Sequence, residues 1–193
     1  MADGRHCFQI GVTGAVVPFH DTVKLFGVTL DSALSMDRHV TEVVRSCSYH
    51  TRALRHIRPL LTLDVAKSVG YSIVSSRLDY ANVLLHRHRT SSSNLHRLQV
   101  AQNSLAGAVC QAPRSVSATV LRRQLHWLPV WQRINYKIAV ITYKTNSTKT
   151  PAYLFDIIHE YHPTRTLRSA DKLLLAVGPT MNVANIIDES VLR

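Results

Sequence analysis

The sequence predicts a mainly α fold, in which a helical bundle follows a small N-terminal β-hairpin. Residues 7–30 are rich in Val, Phe, Ile and Thr with turn residues between, whereas apolar residues recur at helical three- and four-residue steps from residue 35 onward. Hydrophobic residues make up 46% of the 193, which is enough to build a core. We divide the chain into a hairpin at 1–34, a helical region at 35–161 and an irregular tail at 162–193.

The predicted hairpin has strands at 7–12 and 23–30, with turn chemistry at Thr13-Gly14 and at 18–21. It is a single hairpin or a small meander. So little sheet is not stable alone, so we expect it to pack on something else.

Two helices are predicted next. The first begins at Ser35 as N-cap and stops at Pro59. The second is capped by Thr62 with Asp64 in its first turn, and Gly70 weakens its pattern. Its inward positions are expected to be Val65, Val69, Ile73 and Val74.

A polar linker at 86–94 precedes three further helices. The third helix, 93–110, ends before Pro113 and places one apolar side inward, namely Leu95, Leu98, Gln102, Leu105 and Val109. A short helix is expected at 118–125. Pro129 suits the first turn of the fifth helix, whose buried side would be Trp131, Ile134, Ile138 and Ile141. Pro151 opens a helix at 152–161, and a short strand is possible at 173–177.

Charge is the first indication of function. The net charge is +11, and residues 61–145 hold eleven lysines and arginines against Asp64 and Asp79, a net of +9. A cationic block of this size attracts polyanions, of which phosphate backbones are the usual ones. The alternative is a basic surface that serves solubility.

Enzyme and metal chemistry find little support in the residues. The three cysteines are widely spaced, which favours free thiols, and we expect no cofactor. A metal site is not expected at the histidines, which lack Cys or Glu at ligand spacing; these are His86, His88 and His96. The aromatic residues Trp127, Trp131 and Tyr136 could stack on bases, but their helical spacing favours core positions.

Phrases spread along the chain carry a family resemblance. Residues 23–31 read VKLFGVTLD and are followed by LSMDRHV at 34–40; further phrases are IRPL at 57–60, SSRLDY at 75–80, LQVAQN at 98–103, LHWLPV at 125–130, YK at 143–144 and LRSAD at 167–171. Over residues 10–175 the chain resembles LINE-type (non-LTR, jockey-like) retrotransposon reverse transcriptases downstream of the catalytic palm. Departures are Phe26 in place of Leu, the basic run at 86–89 and the final residues 180–193.

The resemblance implies a palm remnant at the hairpin and a thumb-like bundle that grips the template–primer. In the family the metal-binding aspartates lie in the palm as an adjacent pair, and no Asp-Asp pair occurs here. We therefore expect an inactive fragment of an RNA-directed DNA polymerase with no catalytic residue of its own. Asp31 is read as a turn or cap carboxylate.

A protein that holds a duplex independently of base sequence does so through Arg and Lys side chains that bind the phosphate groups. The expected contacts are Arg38, Arg45, Arg52, Arg55, Lys67, Arg77, Arg97, Arg122, Arg123 and Arg133. Arg38, Arg45 and Arg52 lie seven apart and so share one helix face, whereas Arg77 has an ion pair with Asp79 as its alternative role.

The expected partners are RNA and DNA, and the palm and fingers of a full-length polymerase, with no membrane. Without a signal-peptide pattern or a long apolar run, we expect an intracellular chain, nuclear or cytoplasmic. The alternatives are a helical protein-interaction or structural domain, and the non-functional product of a decayed element.

Overall fold

A computed structural model describes residues 9–12, 15–18, 20–86, 90–159 and Leu175, and it confirms the mainly α class. Two antiparallel hairpins come first: β1 (Gln9–Val12) with β2 (Ala15–Pro18), and β3 (Thr22–Leu25) with β4 (Val28–Asp31). The single strand predicted at 23–30 is wrong, because a turn at Phe26-Gly27 divides it into β3 and β4. β2 was missed, because most of its residues were assigned to neither a strand nor a turn. The predicted meander is therefore two separate two-stranded sheets.

The turn between β3 and β4 is the two-residue pair Phe26-Gly27, and both have positive φ, 47° and 76°. Such a turn matches the right-handed twist of its strands. Buried Val28 and Thr29 attach the hairpin to the helices, and the Thr29 hydroxyl donates to Glu42 at 2.9 Å. The β3–β4 hairpin packs on the first helix, so for this hairpin the expectation that the sheet packs on something is confirmed.

The first helix, α1 (Asp37–Ile57), stops at a 3₁₀ turn (Arg58–Leu60) that contains Pro59, which confirms the predicted end. The predicted N-cap is wrong by one position, because Met36 with φ 63° stands there. The Ser35 hydroxyl instead donates to the Asp31 carboxylate at 2.9 Å and accepts from the Asp37 amide at 3.2 Å.

The second helix, α2 (Leu63–Gly70), is capped by the Thr62 hydroxyl as predicted. It continues as a π-helical turn (Tyr71–Ser75) and then as α3 (Ser76–Asp79). Val65 and Ile73, predicted inward, are 46% and 36% exposed. The buried residues are instead Ala66, Gly70 and Val74, one position after the predicted row, together with Ser75. Gly70 is a point of close packing against Val109.

A 3₁₀ turn (Asn82–Leu85) leads towards α4 (Ser92–Cys110), which is capped by the Ser91 hydroxyl. The predicted inner side of this helix is confirmed, with Leu98, Gln102, Leu105 and Val109 buried and Leu95 partly buried. Successive contacts join residues 37 to 94, 41 to 97 and 55 to 104, so α4 runs parallel to α1. These two helices form the centre of the core.

Two helices follow as predicted, α5 (Ala118–Gln124) and α6 (Val130–Thr148). Trp127 is a core residue, as predicted. The predictions that Trp131, Tyr136 and Ile141 are buried are wrong, because these side chains are 48%, 65% and 40% exposed and border open cavities. The last helix, α7 (Ala152–Phe155), is shorter than the predicted 152–161. The amides of Ile157 and Ile158 turn to acceptors three residues back, which ends the α-helical ladder.

The predicted tail at 162–193 and strand at 173–177 lie outside the described residues except for Leu175. Within the described ranges, no helix combines the length and apolarity needed to cross a membrane.

Candidate nucleic-acid interface

Four arginines of α1 occupy one exposed side of that helix, and we call Arg38, Arg45, Arg52 and Arg55 the basic stripe. At about 100° per residue they fall within an arc of roughly 100°, and successive members of the heptad-spaced set lie about 10 Å apart along the axis. The helix faces inward through Val40, Cys47 and Leu54, so the apolar positions and the stripe are on different sides.

Three members of the stripe have no partner among the residues that the structure describes. Arg38, Arg45 and Arg52 make no hydrogen bond or ion pair with any residue in the described ranges. The carboxylates of α1 are engaged elsewhere: Asp37 accepts from the Asn94 amide at 2.5 Å, and Glu42 binds Thr29 and lies 3.9 Å from the Lys24 ammonium. The positive charge of the stripe is therefore not neutralised by these neighbours.

Neutral groups hold two further arginines at the seam between α1 and α4. The Arg55 guanidinium donates to the carbonyl and hydroxyl oxygens of Ser104, at 3.3 and 3.0 Å. From α4, Arg97 donates to the Thr41 hydroxyl at 2.9 Å and to the Asn94 side-chain oxygen at 3.3 Å. Such bonds orient a guanidinium and leave its charge available to an anion.

The two arginines of α5 differ from each other. Arg122 donates to the side chains of Asn103 on α4 and Thr119, so it is fixed beside α4. Arg123 is exposed and has no partner among the residues that the structure describes. On α4, Asn103 and Arg97 lie on either side of the exposed positions His96 and Val100, so cations border that helix on both flanks.

Among the described residues, neither Arg77 nor Lys67 contacts a member of the basic stripe through a hydrogen bond or an ion pair. Arg77 donates to the Ser46 hydroxyl at 2.9 Å and to the Ile73 carbonyl at 2.7 Å, and Ser46 is turned from the members of the stripe by roughly 80° or more around the helix axis. The alternative pairing of Arg77 with Asp79 does not occur, because the partner of Asp79 is Arg133. Lys67 is half-buried on α2.

Arg133 lies in a compact polar cluster. Its guanidinium forms a two-point ion pair with the Asp79 carboxylate, in which Nε to Oδ1 is 2.8 Å. The Lys137 ammonium donates to the carbonyl oxygen of Asp79 at 2.9 Å. The Arg133 charge is compensated within the fold, so its assignment as a phosphate contact stays a prediction with a competing structural role.

One arginine that matters to the fold was absent from the predicted set. Arg58 is only 8% exposed, and it donates to the carbonyls of Val109 at 2.6 Å and Leu61 at 2.7 Å. It thus satisfies a carbonyl in the last turn of α4. The sequence signal that could have indicated this role is the position of Arg58 directly before Pro59, at the end of a predicted helix.

The isolated carboxylates and thiols have structural surroundings. The Ser35 amide donates to Asp31 at 2.9 Å and holds the pKa of that carboxyl below its usual value, which supports the turn reading. Cys47 and Cys110 are free thiols as predicted, and burial raises the pKa of Cys47 to about 11. Among the described residues, no three His, Cys, Asp or Glu side chains are placed to hold a metal ion; His88 lies outside those residues.

The fold and the stripe together define a helical module with a cationic surface. No family model matches the chain, and no solved structure matches it. The chain is similar to a curated relative described as a probable RNA-directed DNA polymerase from transposon BS, of Drosophila melanogaster. The two are 26% identical over 129 residues, which cover 65% of this chain and 14% of the relative. This distant similarity supports derivation from the reverse transcriptase family.

Proposed function

We propose that this chain is the thumb region of a LINE-type retrotransposon reverse transcriptase, and that it grips the backbone of the template–primer duplex. The basic stripe is the observation that carries the proposal. Its heptad-spaced guanidiniums extend over about 20 Å of one helix, a length that suits several consecutive phosphates. The distant polymerase relative and the resemblance along residues 10–175 support the same reading.

The nature of the contacts favours a grip without base readout. Unpaired arginines on a helix surface bind phosphates, and RNA-containing duplexes are recognised mainly by shape and backbone. The chain has no adjacent aspartates of the kind that hold two catalytic metal ions, so its contribution is binding and positioning. In a full-length polymerase, palm and fingers would supply the chemistry.

The test is a filter-binding titration of an RNA–DNA duplex against salt. For a B-form duplex, each phosphate contact adds about 0.9 to the slope of log affinity against log salt. The double variant Arg45→Gln/Arg52→Gln should therefore have a slope that is shallower by about 1.5 to 2. It should bind more weakly than the wild type at low salt, and the difference should shrink as the salt concentration rises.

A charge-matched control is Arg114→Gln/Lys149→Gln, which removes two exposed cations outside α1 and α4. We expect it to keep the wild-type slope. Equal losses in both double variants would mean that the cations act as an even scatter, and would favour the helical protein-interaction domain. A salt-independent wild-type response would contradict nucleic-acid binding itself.

A further inference from the structure

A cavity of about 510 Å³ lies beside α6, on the side away from Trp131. One face of α6 lines it from Arg133 to Lys144, and Tyr71 and Asn82 line it from the preceding segment. Trp127, which is 9% exposed, contributes a largely buried part of its wall. Its volume is within the range of small-molecule sites, about 300–1,000 Å³.

The wall offers exposed aromatic surface. Tyr71 is 54% exposed and Tyr136 is 65% exposed, and Leu128 and Ile141 add aliphatic surface beside them. Four large apolar side chains left accessible around one cavity disfavour water as its sole occupant. They suit a ligand with a flat, unsaturated part that can stack on a phenol ring.

The charges around the cavity select an anion. Three cations line it, Arg133, Lys137 and Lys144, against the single carboxylate of Asp79. Lys137 uses one donor on the Asp79 carbonyl, which leaves two of its three N–H groups available. Lys144 is exposed and has no partner within the described ranges, so it is free to bind an anion.

Unusual backbone conformations converge on this cavity. Tyr71 begins the π-helical turn, Ala81 next to Asn82 has φ 51°, and His126 has φ 57°. Single π turns and non-glycine residues with positive φ cluster at binding sites, where the surrounding fold sustains their cost. Here they set the positions of two lining residues and of the chain entering Trp127.

We propose that this cavity binds a nucleotide, with the base against Tyr71 and Tyr136 and the phosphate at Lys137 and Lys144. The ligand is either an unpaired nucleotide of a bound nucleic acid or a free mononucleotide. The first source rests on the proposed duplex grip, and the second does not. The flat apolar wall matches the base of a nucleotide, and the excess of cations matches its phosphate.

The direct test is a titration of the ¹⁵N-labelled chain with adenosine 5′-monophosphate, followed by NMR amide shifts. Shifts should concentrate at residues 71, 82, 126–128 and 133–144, and adenosine or inorganic phosphate alone should bind at least tenfold more weakly. Tyr136→Ala should weaken binding by about tenfold, in keeping with base stacking, and Lys144→Gln should weaken it through the phosphate. Tyr143→Ala is the control, because this 74% exposed tyrosine on α6 does not line the cavity.

A second measurement distinguishes the two sources of the nucleotide. It also distinguishes failure of the cavity proposal from failure of the duplex-grip proposal. If the cavity takes an unpaired nucleotide, a duplex with a one-nucleotide overhang binds tighter than a blunt duplex, and Tyr136→Ala abolishes the difference. If the monophosphate binds but the duplex with an overhang is not preferred, the cavity is a site for free mononucleotides. That assignment holds even if the blunt duplex does not bind, in which case only the duplex-grip proposal fails. If neither effect is seen, the cavity proposal is wrong. It is also wrong if an acidic peptide shifts these amide signals and the monophosphate does not.

Discussion

Arg133 near the start of α6 and Asp79 at the end of α3 are 54 positions apart in sequence and form a two-point ion pair. Their side chains are 13% and 32% exposed, so the pair is largely shielded from water. Because the same aspartate binds Lys137 through its carbonyl, it fixes α6 against the α3 segment. The pair thus positions the wall of the cavity described above.

Replacing Asp79 should destabilise the fold. Asp79→Asn leaves the shielded Arg133 guanidinium without its counter-charge, and we expect a loss of about 1–3 kcal/mol in the free energy of unfolding. Urea unfolding measures it, with Asp156→Asn as an exposed-carboxylate control that should change little. If the two variants are equally stable, the ion pair does not hold α6 in place. A further Arg133→Met change should recover part of the loss.

Two glycines in helices should respond to alanine in opposite directions. A Cβ at Gly70 would lie 3.0 Å from Val109 Cγ2 and 3.4 Å from Leu105 Cδ1, and both neighbours are fully buried. We expect Gly70→Ala to lose stability, because overpacking costs about 1–3 kcal/mol against a helix-propensity gain of about 1 kcal/mol. Gly107→Ala meets nothing within 4 Å and should gain about 0.5–1 kcal/mol. Thermal unfolding of both variants measures these changes in stability. A stabilised Gly70→Ala variant would contradict the close packing between α2 and α4.

The buried thiol of Cys47 should make stability depend on alkaline pH. Burial raises its pKa from about 9 to about 11, so the folded state holds a proton that the unfolded state releases. The contribution is full below pH 9 and declines as pH rises from about 9 to about 11. Relative to Cys47→Ala, the wild-type free energy of unfolding should fall across this window, in total by an amount on the order of 2 kcal/mol. A constant difference between the two proteins would refute the shifted pKa.

The β3–β4 hairpin should be a weak edge of the domain. Val23, Leu25 and Phe26 are 59%, 52% and 85% exposed, so the outer strand buries little apolar surface. We expect the amides of β3 to exchange with solvent faster than those of α1 and α4 in hydrogen-exchange measurements. The Tyr80 hydroxyl donates to the Phe26 carbonyl at 2.5 Å, so Tyr80→Phe should accelerate exchange at the turn, while Tyr49→Phe serves as a control. Protection of β3 equal to that of α1 would contradict this view.

The sequence by itself determined the class of fold and most helix limits. Local signals suffice for these: Thr62 and Ser91 cap the helices that follow them, Pro59 ends α1, and the apolar period of α4 identifies its buried side. Each of these depends on residues within one or two turns, which a linear pattern contains. The heptad spacing of Arg38, Arg45 and Arg52 likewise predicted one exposed face on α1.

Only the tertiary structure decided which cations are neutralised and which aromatic residues are accessible. Nothing in the sequence distinguished Arg133 from the other basic residues, because its partner Asp79 lies 54 positions earlier in the chain. The buried residues of the α2 segment lie one position after the predicted ones. Tyr136 and Trp131 line cavities, although their helical spacing favoured core positions. Charge pairing and burial depend on neighbours distant in sequence, and a periodic pattern reports only the face on which a residue lies.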